Sequence, residues 1–259
     1  VAPRRISEFD LDEANRYGER ARELGFVIGE AVFLENLLTA DTTMRDIRIE
    51  RFRHTMEVAE AMGCRSIVTL VGTRDPSDRP LFPHPFNFTE ACKTEFREIV
   101  LRSLDGCALD RCRYGVEPWF TTFFYQPEDI RAFIDSVDDP RFGVHLDQGN
   151  MIAHHSFYDT TSLIRRTFDL LAEHAVSVHI KDLGWRGDHF GLRWDEVRIG
   201  DGTMDLDEYV KKINTLGPDM TVYCEHFEDE GEFAINFARL HQLARRAGVP
   251  VRRLEDPLT

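Results

Sequence analysis

FGVHLDQGN, residues 142–150, reads as a short buried strand ending in a turn, with two polar side chains set two residues apart near its end. Side chains alternate faces along a strand, so His145 and Asp147 point one way while Val144 and Leu146 point the other. In a parallel α/β sheet the apolar pair meets the covering helices, and the histidine and carboxylate share the opposite face. Burying both without a partner is costly. A cation or a polar ligand is therefore expected opposite them.

On the N-terminal side of this strand, helices are expected over residues 11–24 (closed by Gly25), 47–62 (stopped by Gly63), 89–104 and 127–137, the last opened by Pro127 in its first turn. Strands are expected over 27–33, 66–71 and 114–119. Beyond it follow a helix over 160–173, a strand over 175–181, a helix over 206–214, a strand over 221–227 and an amphipathic helix over 232–247. Two connections are long, the proline-rich 72–88 and the segment 182–204, and loops of such length commonly carry function. Strand and helix alternate with no composition break, which predicts a parallel sheet covered by helices in one domain over 1–259. Six strands can be counted, and the chain opens on what would be the second helix of a (β/α)8 TIM barrel. Either two strands are missing from the start or the fold is not a barrel. An open doubly wound sheet competes, but no Gly-rich phosphate loop follows any strand.

The formal charge of -14, from 46 acidic and 32 basic residues among 259, argues against nucleic acid as an electrostatic partner. There is no apolar run long enough to span a membrane and no secretory signal pattern. Cys64, Cys92, Cys107, Cys112 and Cys224 lack CxxC spacing, which suits a reduced cytoplasmic protein better than a disulfide framework or a thiolate zinc site. The chain begins at Val1 rather than Met.

Four strands end in the same grammar. Glu117 shares a face with Gly115 and Trp119, Asp147 with His145, His179 with Ser177 and Lys181, and Glu225 with Tyr223, with apolar residues opposite in each case. Singly, such a residue is more often a satisfied polar group of a barrel core than a ligand. Jointly, at equivalent depth in four strands, they point to a metal at the mouth where barrel active sites lie. Two glutamates, an aspartate and a histidine form a hard oxygen-and-imidazole set suited to Mn²⁺ or Mg²⁺, with Co²⁺ or Zn²⁺ as alternatives.

GVEPW, HLDQGN, VSVHIKD and YCEHF, in this order, resemble the metal-binding strands of the xylose isomerase-like TIM barrel superfamily, which includes sugar-phosphate isomerases/epimerases and the tagatose 3-epimerase type. The resemblance covers nearly the whole chain. It implies a (β/α)8 TIM barrel whose first two strands lie upstream of Val1. It also implies that Glu117, Asp147, His179 and Glu225 bind one divalent metal, Mn²⁺ foremost, at the ends of strands five to eight. Two features depart from the common pattern. Many relatives carry a histidine where Asn150 stands, and His145 lies outside the common ligand set. The latter resembles the C-glycoside deglycosidase catalytic subunits of this barrel group, which use a histidine as base near Mn²⁺.

These residues suit proton abstraction next to a sugar carbonyl. A metal acts as Lewis acid on the carbonyl and a neighbouring hydroxyl, while Glu117 and Glu225, arriving from different strands, remove and return the proton. His145 is a candidate further base or hydroxyl ligand. Lys181 is a candidate for steadying an enolate oxygen, with a salt bridge as the bland alternative. Trp119, Trp185, Tyr223 and His226 are candidate pocket residues, and Asp182 is expected to cap the loop after it. His84 reads best as a solvated loop residue, and His154 and His155 as a helix start or surface, whereas His174, His189 and His241 carry no signal. The leading expectation is a sugar isomerase or epimerase acting on a small-molecule sugar or glycoside. A lyase on 3-oxo-C-glycosides and a non-catalytic barrel subunit of a heteromer are the alternatives. Missing strands would leave sheet edges exposed, favouring a homo- or hetero-oligomer.

Overall fold

Parallel strands cannot be joined by a tight turn and need a crossover, usually a helix. The chain supplies one almost every time. The computed structural model describes residues 6–186 and 194–251, so His189 lies outside the described residues. In chain order the elements are α1 (Leu11–Glu23), β1 (Glu30–Phe33), α2 (Thr42–Met62), β2 (Ser66–Thr69), α3 (Glu90–Leu104), β3 (Arg113–Val116), α4 (Pro127–Val137), β4 (Phe142–Asp147), α5 (Thr160–Leu171), β5 (Ala175–His179), β6 (Asp182–Trp185), β7 (Trp194–Val197), α6 (Leu206–Asn214), β8 (Val222–Tyr223) and α7 (Glu230–Ala247). Six strands form one sheet in the order β1-β2-β3-β4-β5-β8, each pair parallel.

The sheet curls, with helices outside, in the TIM-barrel manner. A Cβ placed on Gly29 would lie 2.1 Å from Tyr223 Oη, so the entry to β1 and the last strand face each other across the interior. Among the described residues β1 and β8 each pair on one side only. A chain of aromatic rings runs through the mostly aliphatic outer layer. Phe52 of α2 packs on Tyr114, Tyr114 on Phe142, and Phe142 on Phe133 of α4, with centroids 4.9, 5.2 and 6.0 Å apart. Val116, Val144 and Leu146 are buried in this outer core. No helix among the described residues is long and apolar enough to cross a membrane.

The strands are shorter than the sequence pattern predicts, and the last extends only over Val222–Tyr223. Helix α2 starts earlier than expected because the Asp41 side chain caps it, accepting from the Met44 N–H. The connection expected to be an irregular loop over 182–204 contains the antiparallel pair β6–β7. Asp182 anchors its base. Its buried carboxylate accepts from the backbone N–H groups of Leu183, Gly200, Gly202 and Met204 at 2.9 to 3.1 Å. The 72–88 connection is also tied down, since Asn36 bonds Thr73 through both its amide oxygen and its amide nitrogen. His84, read as a solvated loop residue, instead caps a short 3₁₀ turn by accepting from the Phe86 N–H.

One irregularity sets the interior. Val144 pairs with Ala175 but His145 pairs with Ser177, so β5 carries an extra residue, Val176. Its side chain fills the space beside two glycines. A Cβ on Gly115 would meet Val176 Cγ2 at 2.4 Å, and one on Gly143 would meet Val176 Cγ1 at 2.8 Å. Such a bulge re-aims the residues that follow it.

Candidate metal centre

Glu117 follows β3 directly and its N–H donates to Thr69 O. Asp147 closes β4 and His179 closes β5, and the register sets Asp147 beside His179 and His179 beside Tyr223. Glu225 and Lys181 stand two residues beyond Tyr223 and His179. From α6, Tyr209 Oη donates to the carbonyls of His179 and Leu146 at 2.9 and 3.3 Å, pinning the two strand ends from outside.

The side chains converge. His179 Nδ1 lies 3.0 Å from Glu225 Oε1, 3.5 Å from Asp147 Oδ2 and 3.9 Å from Glu117 Oε1. Lys181 Nζ sits 2.8 Å from Asp147 Oδ2, 2.5 Å from Glu225 Oε1 and 3.1 Å from Glu196 Oε1. Asn150 bridges two of the carboxylates. Its amide nitrogen donates to Glu117 Oε1 at 2.8 Å and its backbone N–H to Asp147 Oδ1 at 3.2 Å. A Cβ on Gly149 would lie 2.8 Å from Lys181 Cγ and Cδ, so a glycine here makes room for the lysine stem.

Behind this layer Glu30, at the start of β1, faces inward. Its Oε1 lies 3.4 Å from His179 Nε2 and its Oε2 lies 3.0 Å from His145 Nδ1. His145 Nδ1 also meets Ser177 Oγ at 2.7 Å, and the His145 and His179 rings stand edge to face with centroids 4.0 Å apart.

This donor set fits a divalent cation. Glu117, His145, Asp147 and His179 each offer one atom within 4.8 Å of the others'. His179 Nδ1, Asp147 Oδ2 and His145 Nε2 are buried and complete no hydrogen bond, although charged atoms lie within 4 Å of the first two. Glu225 stands outside that tightest group because its carboxylate turns toward Lys181 and, at 3.5 Å, His226 Nε2. Five carboxylates (Glu30, Glu117, Asp147, Glu196 and Glu225) gather here with Lys181 as the ammonium among them.

The electrostatics follow from burial and crowding. Desolvation pushes Glu117 up to about 8, helped by the neighbouring charge of Asp147. Burial also acts to raise Asp147, but the Lys181 ammonium and His179 outweigh it and hold this carboxyl far below the usual range. Burial disfavours a charged His179, yet its contacts with Asp147, Glu225 and Glu30 outweigh that and raise it to about 12. Desolvation is likewise overcome at Glu225, which His179 and Lys181 lower.

The remaining expectations divide. His145, the candidate further base, has a side chain with no exposed surface and lies beneath the mouth. Trp119 is half-buried and stacks on Phe120 at 5.2 Å. Trp185 sits on the β6–β7 hairpin, 42% exposed, with its ring edge to Phe157. His226 borders the cluster through Glu196, its Nδ1 2.8 Å from Oε1, and adopts a left-handed backbone with φ 60°. His154 and His155 are exposed on a short 3₁₀ turn. Sequence reasoning missed Glu30, Asn150 and Glu196. Asn150 was seen only as a departure from a histidine. The inward parity of Glu30 in EAVF offered the one signal for it, and Glu196 had none because its segment read as loop.

The profile of the family described as Xylose isomerase-like TIM barrel matches residues 2–247. Among curated proteins the chain is similar to a 3-oxo-isoapionate decarboxylase of Pectobacterium atrosepticum, 25% identical over 136 residues. That match covers 48% of this chain and 46% of the relative, so it spans about half of the relative's length. Similar solved structures include a xylose isomerase domain protein from Planctomyces limnophilus (TM-score 0.67, 17% identity, 92% of this chain and 85% of that one). Others are the IOLI protein with a bound zinc atom (0.66, 17%, 94% and 81%) and an L-ribulose 3-epimerase (0.65, 15%, 96% and 86%). At these identities the likeness to the solved structures is one of fold.

Proposed function

Because the chain belongs to the xylose isomerase-like TIM barrel family, we propose that it is a divalent-metal-dependent enzyme that moves a proton next to the carbonyl of a small sugar, as an isomerase or epimerase. The observation that carries this reading is the convergence of Glu117, Asp147, His179 and Glu225 on one rim, with His179 Nδ1 and Asp147 Oδ2 buried and not hydrogen-bonded. These four residues hold the metal, which when bound supplies a Lewis acid for a carbonyl and its neighbouring hydroxyl. Mn²⁺ suits the set best, with Mg²⁺, Co²⁺ and Zn²⁺ as competitors.

Glu117 and Glu225 take and return the proton. The two carboxylates reach the site from different strands, which lets one act as base and the other as acid. Lys181 keeps the carboxylates charged and offers its ammonium to a developing oxyanion. Asn150 holds Glu117 in place. In this reading Trp119, Trp185 and His226 serve as substrate contacts, His226 being the one that borders the cluster through Glu196. His145, wholly buried, supports the site from below rather than touching the sugar. Residues 1–259 are read as a single domain, and the one-sided edges of the six-stranded sheet among the described residues favour assembly with a further chain, which light scattering checks.

The similarity to a decarboxylase favours a second reading, cleavage of a bond next to the carbonyl. Metal analysis with turnover on keto-sugars and 3-oxo-glycosides separates the two. Epimerised or isomerised sugar supports the first reading, and a released aglycone or carbon dioxide supports the lyase. A chain that binds no Mn²⁺, Mg²⁺ or Zn²⁺ would sink both and leave the non-catalytic subunit.

A further inference from the structure

We propose that Glu30 is a positioning residue: from β1, on the far side of the barrel interior, its carboxylate holds the His179 ring so that Nδ1 faces the metal. The inference rests on the metal reading above. A neutral imidazole carries one lone pair and one N–H, and the partner of the N–H decides which nitrogen is left to bind a cation. His179 Nε2 faces Glu30 Oε1 at 3.4 Å, while Nδ1 faces Glu225, Asp147 and Glu117. With Nε2–H directed to Glu30, the lone pair stays on the nitrogen that looks into the ligand cluster. A carboxylate behind a ligating histidine fixes its tautomer and ring orientation and raises its basicity.

The surroundings leave Glu30 little freedom to do anything else. Its side chain is 7% exposed, and burying a carboxylate is tolerated only with partners. The second oxygen faces His145 Nδ1 at 3.0 Å without completing a hydrogen bond, since that nitrogen pairs with Ser177 Oγ at 2.7 Å, so Glu30 stands against two imidazoles. The backbone is confined too, because a Cβ on Gly29 would strike Tyr223 Oη at 2.1 Å and Thr221 Cγ2 at 2.4 Å. Glu30 thereby links β1 to the ligand-bearing strands β4 and β5 through the two imidazoles. It also gives His145 a place, since its ring packs against His179 and its Nδ1 faces the oxygen of Glu30 that His179 does not face.

The test compares wild type, Glu30→Gln, Glu30→Ala and Ser177→Ala in chelator-stripped protein. Mn²⁺ affinity is read by isothermal titration calorimetry, and the His179 ring nitrogens by ¹⁵N NMR of the Zn²⁺-loaded protein. The expected result is that Glu30→Gln weakens Mn²⁺ binding about tenfold and Glu30→Ala about a hundredfold. Ser177→Ala, which removes a partner of His145 and Glu30 but leaves the carboxylate facing His179 in place, stays within about threefold of wild type on the same scale. The NMR spectrum should show a hydrogen on Nε2 and metal on Nδ1 in wild type, a pattern lost in Glu30→Ala. If Glu30→Ala does not fold, Glu30→Gln, which keeps the shape and one acceptor oxygen, carries the comparison. Wild-type affinity in both Glu30 variants overturns the inference while leaving the metal reading intact. Equal weakening in Ser177→Ala and Glu30→Ala also overturns it, because general loosening of the core would then explain both. A wild-type chain without Mn²⁺ or Zn²⁺ affinity overturns the metal reading and this inference together.

Discussion

Glu117 illustrates how one carboxyl couples pH to stability and, if it holds the proposed metal, to metal binding. Its raised value, about 8, means that the folded, metal-free chain holds a proton there between roughly pH 4.5 and 8 that the unfolded chain has released. His179, raised to about 12, does the same above its ordinary 6.5. The folded state binds more protons than the unfolded state in both windows, so stability of the metal-free protein falls as pH rises from 6 to 9. Thermal melts in chelator should follow that slope, and Glu117→Gln should flatten its lower part. A metal must displace these same protons, so affinity should climb with pH, by roughly tenfold per pH unit for each proton released. Calorimetric titrations at pH 6, 7 and 8 would show it, and a pH-independent affinity would count against Glu117 and His179 as ligands. Glu225→Gln should lower turnover by about a hundredfold or more if Glu225 exchanges the substrate proton.

Element geometry carries its own test. The extra residue in β5 is accommodated because Gly115 and Gly143 leave space for Val176. Gly115→Ala drives a methyl to 2.4 Å from Val176 Cγ2 and should destabilise the fold by about 1–3 kcal/mol, measured by urea unfolding. Adding Val176→Ala should restore part of that loss, a non-additivity expected only of residues in contact. The strand ends over which the candidate ligands stand were legible as GVEPW, HLDQGN, VSVHIKD and YCEHF, because two-residue alternation survives in each of them. The β6–β7 hairpin was not legible. Its strands are four residues long, and its base is held by Asp182 through backbone N–H groups up to 22 residues away, which leaves no periodic trace.

At the scale of the whole molecule, a cation bound only by the folded state stabilises it by mass action, about 2.7 kcal/mol at a hundredfold excess over Kd. For a chain of this size that corresponds to a rise in Tm of roughly 5–10 °C. Chelation should lower Tm by that amount and Mn²⁺ should restore it, while an unchanged Tm would argue against the centre. Such a shift has a structural reason. The candidate ligands come from β3, β4, β5 and the end of β8, with Glu30 adding β1, so the cluster ties together nearly every strand of the sheet.

The sequence by itself determined the alternation of helix and strand, the faces of the strands, and the set of polar residues placed at their ends, since these depend on local period and residue type. It also carried the resemblance to the family. Only the tertiary structure decided that Glu30 stands behind His179, that Asn150 ties Glu117 to Asp147, that Lys181 sits among carboxylates from β4, β7 and the end of β8, and that His145 is sealed beneath the mouth. Those contacts join residues up to 149 positions apart, as with Glu30 and His179, across a curled sheet. No local pattern encodes which inward-facing side chains meet once the sheet bends.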